Sequence, residues 1–316
     1  MKVVKSTLAL AVCSILAQPA FAATVDIYGR ADVSLQSSDE GEGSFSEVKS
    51  NASRIGFKGT HELSKGLDVV YKAEFEVDID GDGDTFKKRN QYIGLKGAFG
   101  EVLLGNNDSM LKQSQGKADV YSDYNGDIKY LWAGENRLSD TVTYKSPKFN
   151  GFQLGATYKA EDEVDGKDAF SIAAMYGDKK LKKSSFYAAV AMDSEVKGKS
   201  KDGAVSGYFD TVRATVQGKL AGISLGLMIQ NQEEVETGAK MDGMLVSAKY
   251  SIGDTTLKGQ YQIADHKDGD KNTAITAGVD YKLAKSTKLY AFYTTFDIKT
   301  DNRDEDYLAV GIQYNF

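Results

Sequence analysis

The chain alternates between apolar residues and small or polar residues along much of its length, and the last ten residues show this most clearly. In YLAVGIQYNF, residues 307–316, every second side chain is apolar. A period of two predicts a β-strand that is apolar on one face and polar on the other. Residues 25–35 repeat the pattern, with Val25 and Leu35 at the two ends of the apolar face. The alternation therefore predicts an all-β fold.

The connections between the predicted strands are of two kinds, which alternate along the chain. Eight are long, acidic and rich in glycine, the longest being 108–135, and seven are short turns. Together they join sixteen strands, and their alternation places every long connection at one end. This plan predicts a closed 16-stranded antiparallel transmembrane β-barrel, because closure leaves no strand edge exposed to lipid. A soluble sandwich is the alternative, but it gives no reason for the long connections to share one end.

Residues 1–22 match a cleaved secretory signal peptide. Lys2 and Lys5 precede a mostly apolar stretch that is too short to span a bilayer, and residues 20–22 fit an A-x-A cleavage site. We therefore expect residues 23–316 to form the mature barrel as one domain. The signal carries two lysines and no acid, so its removal changes the formal net charge from −6 to −8. It also removes Cys13, the one cysteine of the chain.

The composition narrows the class of protein further. The chain has 18 Tyr, 14 Phe and 32 Gly, which suits a barrel with aromatic girdles at the membrane surfaces. No run of about 18 apolar residues follows the signal, so we expect no transmembrane helix. The acidic balance argues against a nucleic-acid partner. His61 and His266 are the only histidines and lie far from each other, so we predict no enzyme, no catalytic residue, no metal and no cofactor.

The third long connection is the longest, and a loop of this length usually has a function. Asp119, Asp123 and Asp127 recur in it every four residues. A helical turn would group the three carboxylates on one face. An ordinary solvated acidic loop is the alternative.

The parity of the strands predicts which charged side chains face the bore. Leu138 on the lipid face would place Arg137 inside, and Arg89 lies inside if Tyr92 faces lipid. Several inward basic residues could form one wall of the bore, or they could merely solvate it. The basic residues with inward parity are Arg30, Arg54, Lys58, Arg89 and Arg137.

Four segments resemble the trimeric general diffusion porins of Gram-negative outer membranes: VDIYGRADVSL, ASRIGFKG, KKRNQYIGLKGAFGEVLLGNND and the terminal AVGIQYNF. The resemblance covers all of residues 23–316. It implies a barrel in the cell outer membrane with the third loop folded into the lumen. It also implies a homotrimer in contact with lipid and lipopolysaccharide, and a water-filled channel for small hydrophilic solutes and ions.

The resemblance further implies a narrow zone where acidic loop residues face a basic wall. Asp119, Asp123 and Asp127 match the acidic tip of the loop, although the family's Pro-Glu-Phe-Gly-Gly segment is replaced by Asp-Tyr-Asn-Gly. We predict a weak preference for cations, because the acidic loops enrich cations at the mouth. The residues that match the basic wall are Arg30, Arg54, Arg89 and Arg137, with Lys58 as a weaker candidate.

Two other functions remain open for such a barrel. A saccharide-selective porin would need an aromatic slide, which Tyr121, Tyr124, Tyr130 and Trp132 could provide. An adhesin or receptor barrel would depend on its loops rather than on its pore.

Two features bear on assembly. Gly29, Ala31 and Gly59 on the lipid faces of the first two strands would allow subunits to pack closely. Phe316 at the end of the terminal strand resembles the family's assembly signal.

Overall fold

The computed structural model describes residues 25–81, 83–161, 166–201, 203–267 and 269–316. Within these residues the chain forms one antiparallel sheet in which the first and last strands pair, so the sheet closes into a barrel. The predicted signal peptide lies outside the described residues. No helix in the described part of the chain is long and apolar enough to cross a membrane.

The strands are β1 (Asp26–Asp39), β2 (Ser44–Ser50), β3 (Arg54–Ser64), β4 (Leu67–Val77), β5 (Phe86–Gly97), β6 (Gly100–Asp108), β7 (Arg137–Lys145), β8 (Phe152–Lys159), β9 (Ala169–Gly177), β10 (Phe186–Lys199), β11 (Ser206–Leu220), β12 (Ile223–Glu234), β13 (Lys240–Ile252), β14 (Thr255–His266), β15 (Lys271–Lys282), β16 (Thr287–Ile298) and β17 (Arg303–Asn315). Both β2 and β3 pair with β1, each along a different part of it. They are two halves of one strand, interrupted where Ala52 has a φ of +51°. The described segments therefore form the predicted 16-stranded barrel.

The barrel is apolar outside and polar inside. In β17, Leu308 and Val310 are 54% and 62% exposed, whereas Tyr307 and Ala309, which alternate with them, are fully buried. In β1, Leu35 faces out while buried polar side chains such as Ser34 face in. The period-two pattern of the terminal strand is thus confirmed, with its apolar face toward lipid.

The connections alternate between the two ends as predicted, but most of the loops are shorter than the sequence suggested. Residues 193–207 have the acidic, glycine-rich composition by which the long connections were predicted, yet β10 and β11 continue their pairing through most of this stretch. Beyond the bilayer both faces of a strand meet water, so pairing persists without an apolar face. The period-two signal therefore ends before the strand does.

The segment 109–136, between β6 and β7, is the exception. It contains only the short helix α1 (Met110–Ser114) and a 3₁₀ turn, Ile128–Tyr130. The expected helical turn over 119–127 is wrong, because these residues form irregular turns. A cluster that we call the loop core joins the segment to inward-facing side chains of β12–β17. Its members are Ala118, Ile128, Tyr130, Leu131, Trp132, Met228, Met241, Leu245, Ala264, Ala274, Phe296, Ile298 and Tyr307.

The lipid-face glycines of β1 and β3 are covered by aromatic rings of the same chain. A side-chain carbon at Gly29 would overlap the ring of Phe316, and one at Gly59 would lie 2.6 Å from the Tyr71 ring. The backbone of Gly29 also exchanges two hydrogen bonds with Phe316, of 2.9 and 3.1 Å. These glycines therefore provide room for rings within the chain.

Candidate functional site

Asp123 links the segment 109–136 to the arginines of the barrel wall. Its Oδ2 accepts a hydrogen bond of 2.5 Å from Nη2 of Arg54 and one of 3.0 Å from Nη1 of Arg30. The Asp123 backbone has a φ of +78°, a conformation that L-residues rarely adopt. Its N–H donates to the Asp127 carboxylate at 2.9 Å, which helps to hold this conformation. The carboxylate therefore contacts the arginines directly instead of facing them across a gap.

Asp119 and Asp127 have a different role from Asp123, because their carboxylates bind the backbone of the loop itself. Asp119 accepts from the N–H groups of Tyr121 and Ile128, at 2.8 and 3.2 Å. Asp127 accepts from the N–H of Lys129 at 2.9 Å. Both aspartates are 5% exposed. Within the described residues, Asp123 is the member of the predicted acidic trio that contacts the wall arginines.

Arg89 lies inside the barrel, but not for the reason that the sequence suggested. Ile93 is 57% exposed on the lipid face, so its neighbour Tyr92 faces inward and the expectation for Tyr92 is wrong. Between the pairs Ala73–Gln91 and Phe75–Lys88, β5 contains one residue more than β4. This bulge reverses the parity and brings Arg89 inside.

The buried guanidinium group of Arg89 binds two carboxylates of the neighbouring strand. Its Nε donates to Glu74 at 2.8 Å and its Nη1 donates to Glu76 at 2.9 Å. Lys72 lies 3.0 Å from Glu74. The wall is therefore not purely basic, since acids of β4 partly neutralise it. Alternation in β4 gives Glu74 and Glu76 inward parity, and that was the available signal for this pairing.

Arg137 and Leu138 show a second bulge. Leu138 is buried against Ala169 and Val196, so its predicted place on the lipid face is wrong. The register shifts by one extra residue in β7, where Asp140 has a φ of +57°. The extra residue turns Leu138 to the inner face of the barrel.

The partner of Arg137 is an acid of the wall. Its Nε donates to Asp108 Oδ1 at 2.9 Å, and Lys112 lies 3.7 Å from the same oxygen. Arg137 thus lies in a separate charge group beside the Asp123 cluster. The structure places Lys58 elsewhere again, half exposed and 3.9 Å from Asp26 near the turn end of the barrel.

The loop carboxylates differ in their electrostatic surroundings. Burial acts to raise the pKa of Asp123, but the guanidinium groups of Arg54, Arg89 and Arg30 outweigh it and hold this pKa well below its usual range. Burial, followed by the nearby Asp127 carboxylate, raises the pKa of Asp119. Asp123 is therefore the loop carboxylate whose negative charge its surroundings favour most, whereas burial opposes the charge of Asp119.

A buried ion pair at the far end of the loop is absent from the predicted site. Arg213 of β11 is fully buried and donates to Glu135 at 2.7 Å. Two more of its N–H groups donate to Gln230, at 2.8 and 2.7 Å. Inward parity in β11 was the available signal. This pair fixes the end of the loop to the wall opposite Arg54.

The aromatic residues considered as a slide for sugars hold the loop in place instead. Tyr121 and Trp132 are fully buried, and Tyr130 and Tyr124 are 5% and 9% exposed. The Trp132 indole donates to the carbonyl of Ile263 at 2.9 Å. None of these four rings offers an open face to a passing solute.

The part of the loop-end rim formed by β1 and β17 is acidic. A cavity of ≈ 1200 Å³ opens between the 40–43 connection and the start of β17. Seven acidic side chains and two basic ones line it. They are Asp39, Glu40, Glu42, Asp301, Asp304, Glu305 and Asp306, with Lys201 and Arg303.

Comparison with known proteins extends this picture. A sequence model of the family described as Gram-negative porin matches residues 7–302. Major outer membrane protein P.IB of Neisseria sicca is 31% identical over 126 residues, 39% of this chain and 35% of that protein. The chain thus aligns with about a third of that relative. P.IB of Neisseria meningitidis serogroup B is 24% identical over 270 residues, which cover 84% of this chain and 72% of the relative.

Solved structures share the fold. An anion-selective porin from Comamonas acidovorans has a TM-score of 0.77 and 21% identity, covering 93% of this chain and 100% of that one. The trimer form of in-vitro folded OmpT of Vibrio cholerae has a TM-score of 0.72 and 18% identity, with coverage of 93% and 100%. The closed sixteen-stranded barrel and the match over nearly the whole sequence lead to one assignment: the chain belongs to the Gram-negative porin family and is an outer-membrane protein.

Proposed function

We propose that the protein is a passive, water-filled general diffusion channel for small hydrophilic solutes and ions. The observation that carries the proposal is the Asp123–Arg54 contact on the inner face, where both side chains keep access to solvent. The Arg54 and Asp123 side chains are 14% and 20% exposed, and Arg30 is 27% exposed. Charged groups that stay hydrated inside a barrel suit a polar passage.

The segment 109–136 narrows this passage in our proposal. It covers the inner faces of β9–β17 through contacts such as the 2.9 Å bond from Tyr121 to Lys258 and that from Lys117 to Gln217. The remaining opening lies along β3–β7. Asp123 stands on one edge of this opening, with Arg30, Arg54 and Arg89 on the wall beside it. Asp119 and Asp127 would shape the loop, while Arg137 and Lys58 would lie toward the periphery.

We further propose weak cation preference as the finer property of the channel. Around Asp123 the charges nearly balance, with four basic and three acidic side chains. They are Arg30, Arg54, Lys72 and Arg89, with Glu74, Glu76 and Asp123. A balanced narrow zone leaves the sign of selectivity to the two mouths, and in this proposal the acidic mouth at the loop end, which attracts cations, outweighs the lysines at the turn end.

The proposed assembly is a homotrimer in contact with lipid and lipopolysaccharide. A structural relative, OmpT, is described in a trimer form, which supports this proposal. Gly29 and Gly59 are covered by aromatic rings and therefore expose no backbone surface to a second subunit. The subunit contact would therefore use side chains, such as Ile27 and Leu35, which are 62% and 64% exposed on the outer face of β1.

Planar-bilayer recording tests the channel and its selectivity together. We expect stable ohmic steps, grouped in threes, and a small reversal potential of cationic sign in a salt gradient. Addition of a maltooligosaccharide should change the current without saturable block, because the aromatic rings are buried. The absence of any conductance from a folded barrel would overturn the proposal. Saturable block by the sugar would instead favour a saccharide-selective porin.

A further inference from the structure

The turn end of the lumen carries a large excess of lysines. The turn 178–185, which joins β9 and β10, has the sequence DKKLKKSS and contains four of them. By the usual orientation of outer-membrane barrels, this end faces the periplasm. The channel proposed above uses none of these residues.

Asp178 fixes the shape of this turn. Its carboxylate accepts hydrogen bonds from the N–H groups of Lys180, Lys182 and Lys183, at 3.0, 2.9 and 2.7 Å. These three bonds lower the pKa of Asp178 to about 2. Leu181 within the turn has a φ of +51°. The turn is therefore a built structure that sets the direction of its lysines.

Two cavities flank this turn inside the barrel. The smaller, of ≈ 220 Å³, lies between the turn and α1 and is lined by inward-facing Gln153 and Tyr187 together with Gln113. Of the described residues lining it, Asp178 is the sole acid. Its cationic lining residues are Lys145, Lys148, Lys179 and Lys180.

The larger cavity, of ≈ 640 Å³, lies on the other side of the turn against β11–β13. No acidic side chain occurs among the described residues that line it, and Gln217 and Ser247 supply further polar groups. The two cavities share Lys180, so we treat them as one lysine vestibule. The cationic residues of the larger cavity are Lys117, Lys180, Lys182, Lys219 and Lys249.

Few carboxylates balance these charges. Lys145 lies 3.8 Å from Glu101, and Asp178 is occupied by the turn backbone. Burial, followed by the neighbouring Lys180 and Lys148, lowers the pKa of Lys179. Ammonium groups that crowd together with few counter-ions repel one another. A multivalent anion relieves this repulsion, because one anion can bind several of them at once.

We propose that the lysine vestibule is a binding site for small multivalent oxyanions of the phosphate class, located at the periplasmic exit of the pore. The ammonium groups supply charge-assisted hydrogen bonds, and the Gln113 and Gln153 amides supply neutral ones. The smaller cavity can accommodate a compact tetrahedral anion, and the larger one a phosphorylated solute. This inference rests on the proposed channel function, since the site lies on its route.

Inorganic phosphate is the probe for the test. Single-channel current is recorded in potassium chloride while phosphate replaces part of the chloride at constant ionic strength. The wild type should show saturable reduction of the current by phosphate. The double variant Lys179→Gln/Lys180→Gln should raise the half-effective phosphate concentration at least about tenfold, because two charge-assisted hydrogen bonds to the anion are lost.

The matched control is Lys65→Gln/Lys183→Gln. It removes the same charge from turns at the same end, but neither lysine lines the two cavities. The control should retain the wild-type phosphate response. An equal response in all three proteins, or an equal loss in both variants, would overturn the site. A wild-type protein that shows no conductance in potassium chloride alone would instead refute the channel proposal.

Discussion

The carboxylate of Asp123 lies 2.5 Å from Nη2 of Arg54, although the two residues belong to a loop and a wall strand 69 positions apart. Arg54 is held in turn by a 2.9 Å bond from its Nε to the carbonyl of Ala52. Ala52 is the residue at which the strand made of β2 and β3 breaks. The irregularity of the wall therefore sets the position of the arginine that the loop contacts.

Replacement of Asp123 by Asn should shift the zero-current potential in a salt gradient toward anions. The change removes one negative charge and leaves Arg30 and Arg54 in contact with a neutral group. The shift should be clear at 0.1 M salt and small near 1 M, where the screening length falls to about 3 Å. Asp270→Asn removes the same charge from an exposed loop and serves as the control. An unchanged zero-current potential in Asp123→Asn would mean that Asp123 does not lie on the ion path.

The structure also changes the stability expected for this variant. Loss of a water-exposed charge would hardly affect the fold, but the Asp123 side chain is only 20% exposed and is bonded to two arginines. Removal of one partner of a part-buried pair costs more than removal of a surface charge. We expect measurable destabilisation, on the order of 1 kcal/mol, in denaturant titrations.

Replacement of Arg54 by Ser should increase conductance and strengthen cation preference. The shorter side chain leaves more space beside Asp123, and the lost positive charge uncovers the carboxylate. Arg54→Lys separates the two effects, since it keeps the charge and should keep the selectivity. A serine variant with wild-type conductance would show that the passage does not run past Arg54.

Acidification tests the electrostatics of the same pair. The arginines lower the pKa of Asp123 in the folded protein, so its stabilising contribution is present above the unfolded value of about 4 and is lost as pH falls below it. The difference in zero-current potential between wild type and Asp123→Asn should therefore be the same at pH 7 and pH 5. A difference that disappears at pH 5 would mean that the carboxylate titrates near its ordinary value.

Trp132 should be the most costly single truncation in the loop core. Its ring is fully buried, and its indole N–H bonds to the Ile263 carbonyl. Trp132→Ala should lower the free energy of unfolding by about 3–5 kcal/mol and make the open-channel current noisier, because the loop loses its anchor. Trp132→Phe keeps most of the ring and should cost less. Equal stability of wild type and the alanine variant would contradict the packing described for this loop.

Deletion of Phe316 should reduce the amount of folded barrel in the outer membrane. The deletion removes both backbone hydrogen bonds to Gly29 and the ring that covers it, at the point where the first and last strands meet. Gly29→Leu should have a similar effect, because the new side chain displaces the ring. Heat-modifiable migration on gels measures the folded fraction. Phe316→Tyr keeps the ring and the bonds, so it should fold like the wild type.

The amino-acid pattern predicted the barrel because lipid imposes a strict alternation on every strand. The pattern could not predict the bulges, because one extra residue in β5 or β7 leaves the amino-acid composition of the strand almost unchanged. Each bulge nevertheless reversed the face of a predicted residue, which explains the errors at Tyr92 and Leu138. Position-by-position parity is therefore reliable only between bulges.

The charges of the loop were identified as a group but not by role. The four-residue spacing of Asp119, Asp123 and Asp127 suggested three equivalent carboxylates. In the fold two of them bind backbone N–H groups and one binds arginines, because a positive φ at Asp123 turns it away from the others. Such a conformation depends on contacts with distant strands, which local sequence does not encode.

The loop core also has a consequence for the order of folding. Trp132 contacts Ile263, 131 positions away, and Tyr130 contacts Tyr307, 177 positions away. Contacts so distant in sequence form late, because a long stretch of chain must first be ordered. We expect the wall to pair and close before this apolar interior assembles. Burial of the chain's single tryptophan would then report the last step of maturation, at which the loop packs inside the closed barrel and narrows its pore.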